Sequence, residues 1–235
     1  MIRLENIGKR YQRSDVLQRI DWRIADSAFV LVTGRSGGGK TTLLSIMGGL
    51  TRPDEGRVLI DDVDIWRLSE PELAALRNRK LGFVFQFPSL IPTLRVLDNV
   101  LLPIAFGGRS PNREDREFAG SLLAMVGIAD KEKAYPSQLS GGQQRRAAIA
   151  RALINRPSII LADEPTGDLD ESTEAEIMSL FQNINRQGVT IVMVTHALDY
   201  AALGTACLLK NQQLFPYPAG PSPESAAGEE SRHGE

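Results

Sequence analysis

The sequence predicts an α/β protein built on a parallel sheet, with a mostly helical segment inserted at about residues 87–156. Three features carry that prediction. Short apolar runs alternate with helix-like segments early in the chain and again after residue 156, the pattern of strand–helix–strand units. A glycine-rich turn at Gly34–Gly39 separates one apolar run from the helix that follows it. Between Phe87 and Ile104 the strand pattern lapses, and prolines recur at Pro88, Pro92 and Pro103.

The elements follow in order. In Val16–Ile24, residues Ile20, Trp22 and Ile24 alternate with Arg19, Asp21 and Arg23, the period of a half-buried strand. Ala28–Thr33 is a short apolar run that stops at Gly34, and Lys40–Leu50 suits a helix. Arg57–Ile60 and Val63–Ile65 flank Asp61–Asp62 and read as a hairpin. Ser69 and Glu72 have capping-box spacing for a helix over 70–79, and Leu81–Phe85 follows as a buried strand. Ser110 and Pro111 supply an N-cap and a first-turn proline for a helix that Gly127 ends. Residues 141–154 form another helix, halted near Pro157. Then come strand Ser158–Ala162, helix 171–187, strand Val189–Thr195 and helix 197–203, the two helices closed by Gly188 and Gly204. From Pro216 onward four prolines and almost no large apolar residue predict a disordered tail. The expected division is a globular unit over 1–215, with core at about 1–86 and 157–215, and a tail over 216–235.

Composition narrows the class. The 235 residues hold 27 Lys plus Arg against 29 Asp plus Glu, a net charge of −2. The tail carries −3 of this and residues 1–215 are +1, so bulk positive charge for gripping nucleic acid is missing and no nucleic-acid partner is expected. A chain 42% apolar and 24% charged is neither collagenous, disulfide-rich nor wholly disordered. Cys207 is the only cysteine, which excludes an internal disulfide and fits a reducing compartment. The N-terminus lacks an apolar h-region, and no run approaches 18 apolar residues. A cytosolic-type protein is expected, unless another molecule holds it at a membrane.

Three motifs carry chemistry. Gly34-Arg35-Ser36-Gly37-Gly38-Gly39-Lys40-Thr41 matches G-x-x-x-x-G-K-[ST] between a predicted strand and a predicted helix, the context this phosphate loop requires. Its glycines let successive N–H groups curl round a polyphosphate, and the helix N-terminus adds favourable dipole charge. Lys40 is placed to reach the β- and γ-phosphates, and the Thr41 hydroxyl to ligate Mg²⁺. A plain glycine-rich turn would not need three glycines followed by Lys-Thr-Thr, ending at Thr42. Second, Ser158–Glu164 is an apolar strand ending in two carboxylates. Beside a phosphate loop, Asp163 suits the metal and Glu164 the water that attacks the γ-phosphate. Third, Leu139-Ser140-Gly141-Gly142-Gln143 has capping-box spacing, yet a cap alone does not call for two glycines where each costs up to about 1 kcal/mol relative to alanine. A glycine-lined helix start with a serine hydroxyl is a second anion site. Two such starts in one chain meet on one nucleotide most easily when two subunits lie head to tail.

With these motifs in this order, the sequence resembles the ATP-binding-cassette ATPases over residues 1 to about 215. The resemblance implies a P-loop NTPase fold with a RecA-like core, an N-terminal antiparallel β subdomain and a helical insertion. It also implies roles for residues the motifs leave silent. Tyr11 stacks on adenine, Gln86 joins the metal and the water to the helical insertion, and His196 bonds the γ-phosphate. Catalysis then falls to Glu164, His196, Lys40 and Gln86, and the metal to Thr41, Gln86 and Asp163. Ser140 and Gly142, with Gly141 and Gln143 beside them, contact the ATP of the opposite subunit, and Gly167-Asp168-Leu169-Asp170 passes signals between the two sites. Phe85–Leu94, Asn99-Val100 and Pro165–Asp170 are similar to the lipoprotein-releasing, macrolide-export and cell-division subgroup. Three positions depart from it: Asp168 where asparagine is common, Ala197 where aspartate is frequent, and Arg145 where glutamine is common.

What this implies is an ATP- and Mg²⁺-dependent ATPase subunit. It dimerises on ATP, docks on integral membrane permease subunits near residues 87–106, and sits peripherally on the cytoplasmic face of the inner membrane. Two other readings compete. One is a mechanotransmitting regulatory ATPase that moves no substrate, and its ATP motifs would be the same. The other is a soluble cassette of DNA repair or translation. The missing coiled-coil insertion and the single cassette argue against it.

Overall fold

The computed structural model describes residues 1–12, 14–196 and 198–217. The disorder expected of 218–235, and the Ala197 departure, lie outside them. The chain opens with β1 (Ile2–Tyr11), β2 (Ser14–Ile24) and β3 (Phe29–Gly34), then α1 (Lys40–Met47) and the hairpin β4 (Glu55–Ile60) and β5 (Val63–Asp64). Next come α2 (Glu70–Lys80), β6 (Leu81–Val84) and three helices, α3 (Val96–Phe106), α4 (Arg113–Met125) and α5 (Gly141–Leu153). It closes with β7 (Ile159–Asp163), α6 (Glu171–Arg186), β8 (Thr190–Val194), β9 (Thr205–Lys210) and β10 (Gln213–Pro216).

The strands form two sheets. The first is antiparallel, in the order β2-β1-β4-β5. Its β4–β5 turn holds Asp61 and Asp62 at φ 49° and 63°, the double positive-φ geometry that right-twisted hairpins favour. The second runs β10-β9-β3-β8-β7-β6, parallel from β9 to β6. The predicted parallel sheet is present, but its edge is an antiparallel β9–β10 hairpin absent from the sequence reading. The turn, Asn211–Gln212, also has positive φ at both residues but no Asn-Gly or Asp-Gly pair to announce it. This strand carries the ordered chain through Pro216, past the expected boundary at 215.

Both faces of the parallel sheet are covered, which is why its strands read as unbroken apolar runs. Leu31, Ile160, Ala162, Ile191 and Met193 face a core shared with α3–α6. Their neighbours Val30, Val32, Leu161, Val192 and Val194 face a second core shared with α1 and the antiparallel sheet. Between β6 and β7 the ordered elements are helical, as predicted for about 87–156. The fully buried Asn99 of α3 anchors the preceding turn: its side chain accepts from the Ile91 N–H at 2.7 Å and donates to the carbonyls of Ile91, Leu94 and Arg95.

Beyond shifts of one or two residues at several ends, two helix boundaries and one helix type differ from expectation. α1 stops at Met47 because Gly48 and Gly49 follow, the second at φ 67°. α4 is capped by Asn112, not Ser110: its amide oxygen accepts from Asp115 N–H and the Asp115 carboxylate accepts in return, leaving Pro111 outside the helix. Leu198–Leu203 is a 3₁₀ segment instead of an α-helix.

Candidate active site

The parallel strands end side by side, and six of the predicted site residues, Lys40, Thr41, Gln86, Asp163, Glu164 and His196, lie at or just past those ends. This carboxyl edge is where open α/β sheets place ligands. The phosphate loop leaves β3 at Gly34 and enters α1 through Gly39, at φ 97°, with no side chain capping the helix. Its first-turn N–H groups are therefore the orphan donors that an anion satisfies. A Cβ at Gly39 would stand 2.8 Å from Val16 Cγ1, so β2 presses on the loop and excludes a larger residue. Lys40 is 5% exposed, and its Nζ donates to the carbonyls of Gly34 (3.0 Å) and Arg35 (3.2 Å), which hold the ammonium in the mouth of the loop.

The two carboxylates arrive from β7. Asp163 Oδ1 accepts from the Thr41 hydroxyl at 3.2 Å. Burial pushes the Asp163 carboxyl above its ordinary range; Thr41 draws it back, the charge of Glu164 raises it further, and Lys40 opposes. Glu164 sits at φ 45°, a left-handed backbone that costs an ordinary residue about 1 kcal/mol or more. Its N–H donates to Val194 O (2.9 Å) and its carbonyl accepts from Gly167 N–H (3.1 Å), so strand β8 and the following turn set its direction. The side chain meets Gln86 Nε2 at 3.3 Å, two residues beyond β6, and His196 Nε2 at 3.1 Å, two residues beyond β8. His196 Nε2 also lies 3.4 Å from Lys40 Nζ. Lys40, Thr41, Gln86, Asp163, Glu164 and His196 thus form one connected group from four strand ends. A carboxylate so held is a proton acceptor beside a cationic polyphosphate cradle.

The remaining site residues stand elsewhere. Tyr11 ends β1, 47% exposed, with Lys9 Nζ 5.4 Å from its ring centroid. It pairs with Ser14 across the hairpin, on the strand whose Val16 touches the phosphate loop. Ser140–Gln143 open α5 in a hollow of about 420 Å³ shared with Asp168–Asp170 of the loop before α6, a hollow that none of Lys40, Thr41, Gln86, Asp163, Glu164 and His196 lines. The capping box is formed: Ser140 Oγ accepts from Gln143 N–H at 3.3 Å, and Gln143 Oε1 accepts from Ser140 N–H at 3.0 Å. The Ser140 hydroxyl keeps its own proton to donate. Arg145, noted in the sequence only as a departure, is buried against the loops of Gln86 and Gly167. No local pattern announces those contacts, because the partners are 59 and 22 residues away.

Comparison with known proteins gives the family. A sequence model of the family described as ABC transporter matches residues 17–167. The lipoprotein-releasing system ATP-binding protein LolD of Aquifex aeolicus is 45% identical over 203 residues, 86% of this chain and 90% of that protein. The macrolide export ATP-binding/permease protein MacB of Syntrophobacter fumaroxidans is 46% identical over 202 residues, 83% of this chain but 28% of that longer protein. Among solved structures, the dimeric post-hydrolysis state of the ATP-binding cassette MJ0796, bound to ADP and Pi, superposes with a TM-score of 0.84. It is 40% identical and covers 94% of this chain and 100% of that one. The chain belongs to the ABC transporter family and is one of its ATP-hydrolysing cassettes.

Proposed function

We propose that this cassette powers a membrane exporter of the lipoprotein-releasing or macrolide type, working as a head-to-tail dimer with ATP between the subunits. The observation that carries the reading is a division within one chain. The catalytic group gathers at the sheet edge, while the glycine-opened start of α5 lines a separate hollow to which none of that group contributes. A second copy supplies that start to complete the site.

Hydrolysis in this reading needs little covalent chemistry from the protein. The phosphate loop and Lys40 hold the β- and γ-phosphates. Glu164 accepts a proton as water attacks the γ-phosphorus, and the bond to the β-phosphate oxygen breaks to leave ADP and phosphate. Gln86 and His196 hold Glu164 in place from two sides. The hydroxyl and carboxylate oxygens of Thr41 and Asp163, 3.2 Å apart, would hold Mg²⁺ as the hard donors it takes, joined by the amide oxygen of Gln86, whose nitrogen bonds Glu164. The ion would neutralise charge on the β- and γ-phosphate oxygens. It would also offset the Glu164 charge that Asp163 faces.

Docking on the permease falls to an apolar groove of about 550 Å³. Ile91, Leu102 and Phe106 come from the segment expected to dock, Leu50, Phe83 and Phe85 add further apolar surface, and Arg77 and Arg151 also line the groove. Phe106 is 77% exposed and Phe85 43%. Among the described residues no helix is long and apolar enough to cross a membrane, so a peripheral place on the cytoplasmic face follows from docking alone.

The decisive variant is Glu164→Gln. Turnover should fall at least about 100-fold, the scale of a lost general base. ATP should now hold a stable dimer, seen as a doubled mass by size exclusion with light scattering. Turnover near that of the unaltered chain would overturn the assignment of Glu164.

A further inference from the structure

Arg145 lies in the second turn of α5, five residues past Ser140, and is 5% exposed. Its Nη1 donates to Phe85 O at 2.8 Å and also to Gln86 O, and its Nη2 donates to Gly167 O at 3.4 Å. Nε is buried with no partner, and among the described residues no carboxylate comes within 4.0 Å of the guanidinium. A charge buried this way is costly unless its hydrogen bonds hold something in place. Burial pushes the guanidinium below its ordinary range, and the charge of the exposed Asp168 opposes that.

The carbonyls Arg145 binds belong to the two loops whose side chains meet in the catalytic group. Gln86 carries the amide that reaches Glu164 at 3.3 Å. Gly167 closes the turn that begins at Glu164, through its N–H to Glu164 O at 3.1 Å. Arg145 therefore grips the backbone on both sides of the Gln86–Glu164 contact. The grip comes from the helix whose first turn is Ser140-Gly141-Gly142. The planar guanidinium fork suits this, since it reaches carbonyls on separate loops at once, which a lysine ammonium does less well.

We infer that Arg145 is a positioning residue for hydrolysis: it fixes the spacing of Gln86 and Glu164 and makes that spacing follow the start of α5. The inference deepens the ATPase reading above and rests on it. Asp168 balances the charge from the adjoining loop. Movement of the α5 start against a second subunit would then reach the Glu164 side chain through one residue.

The test uses the full chain with Arg145→Gln and Arg145→Lys, the second keeping the charge so that folding is retained. Each should lower kcat about tenfold or more, the scale of a misplaced catalytic group, with ATP affinity within about twofold because the phosphate loop is untouched. Hydrogen exchange should speed up together at residues 85–87 and 164–168 in Arg145→Lys. Unchanged kcat per folded molecule with only a lowered Tm would reduce Arg145 to a stabilising role and overturn the inference. So would exchange that changes in one loop alone, or full activity in Arg145→Lys, which would make charge rather than the fork sufficient. An unaltered chain that hydrolyses no ATP would overturn the underlying ATPase reading instead, a result distinct from all of these.

Discussion

Gly141 opens α5 with no atom of the described residues within 4 Å of where its Cβ would stand. Gly142 differs, since a Cβ there would meet Thr173 Cγ2 at 2.9 Å, and Gly39 differs more, pressed by β2 at positive φ. The fold thus explains a small residue at 39 and 142 but not at 141, which fits the proposed contact of this helix start with the ATP of a second subunit. Gly141→Ala should leave Tm unchanged or slightly raised, since alanine favours a helix by up to about 1 kcal/mol over glycine. In a Glu164→Gln background it should weaken ATP-driven dimerisation, read by light scattering against ATP concentration. Dimerisation at the original ATP concentration would remove Gly141 from the interface. The motif and its glycines were legible in the sequence. Which glycine answers to its own chain was not, because that depends on what packs beside it.

At the scale of elements, caps were readable wherever the competing residues were few. Ser140 with Gln143 formed the full box its spacing implied, and at Ser69 the Glu72 carboxylate accepts from both the Ser69 N–H at 2.9 Å and its hydroxyl at 2.6 Å. At α4 the expected cap, Ser110, gives way to Asn112, whose bond Asp115 returns. Arg109 binds that carboxylate through Nη2 at 2.8 Å and holds it well down, and the Asn112 N–H adds to this, bringing it to about 2. A carboxyl lowered from 3.8 in this way stabilises the folded helix above pH 3.8, and the contribution fades as pH falls to about 2. Amide exchange over residues 113–116, corrected for intrinsic rates, should accelerate through that window. Asp115→Asn should show the faster exchange already at neutral pH. Exchange insensitive to both would show that the cap does not hold the helix start.

At the scale of the molecule, the sheet separates two kinds of surface. Its carboxyl edge gathers the polar group round Lys40 and Glu164. The groove beside α2, β6 and α3 instead exposes aromatic rings, with Phe83 and Phe85 stacked at 5.7 Å and Phe106 standing open. The predicted docking segment, 87–106, lines this groove together with residues of α2, β6 and the end of α5. Phe106→Asp should abolish co-purification with the membrane partner while the free cassette keeps its ATP affinity. Retained co-purification would move the docking surface elsewhere.

The sequence by itself determined what depends on near neighbours. It shows the phosphate loop between strand and helix, the capping boxes, the doubly buried strands and the paired carboxylates after one of them. These follow from spacings of a few residues, set by backbone geometry and apolar periodicity. Tertiary structure alone decided which distant groups meet. Gln86 lies 78 residues from Glu164, Lys40 156 from His196, and Arg145 60 from Phe85. The physical reason is strand order. The sheet sets β3 beside β8 and β7 beside β6, so their carboxyl ends converge, and no local pattern in the chain encodes that order.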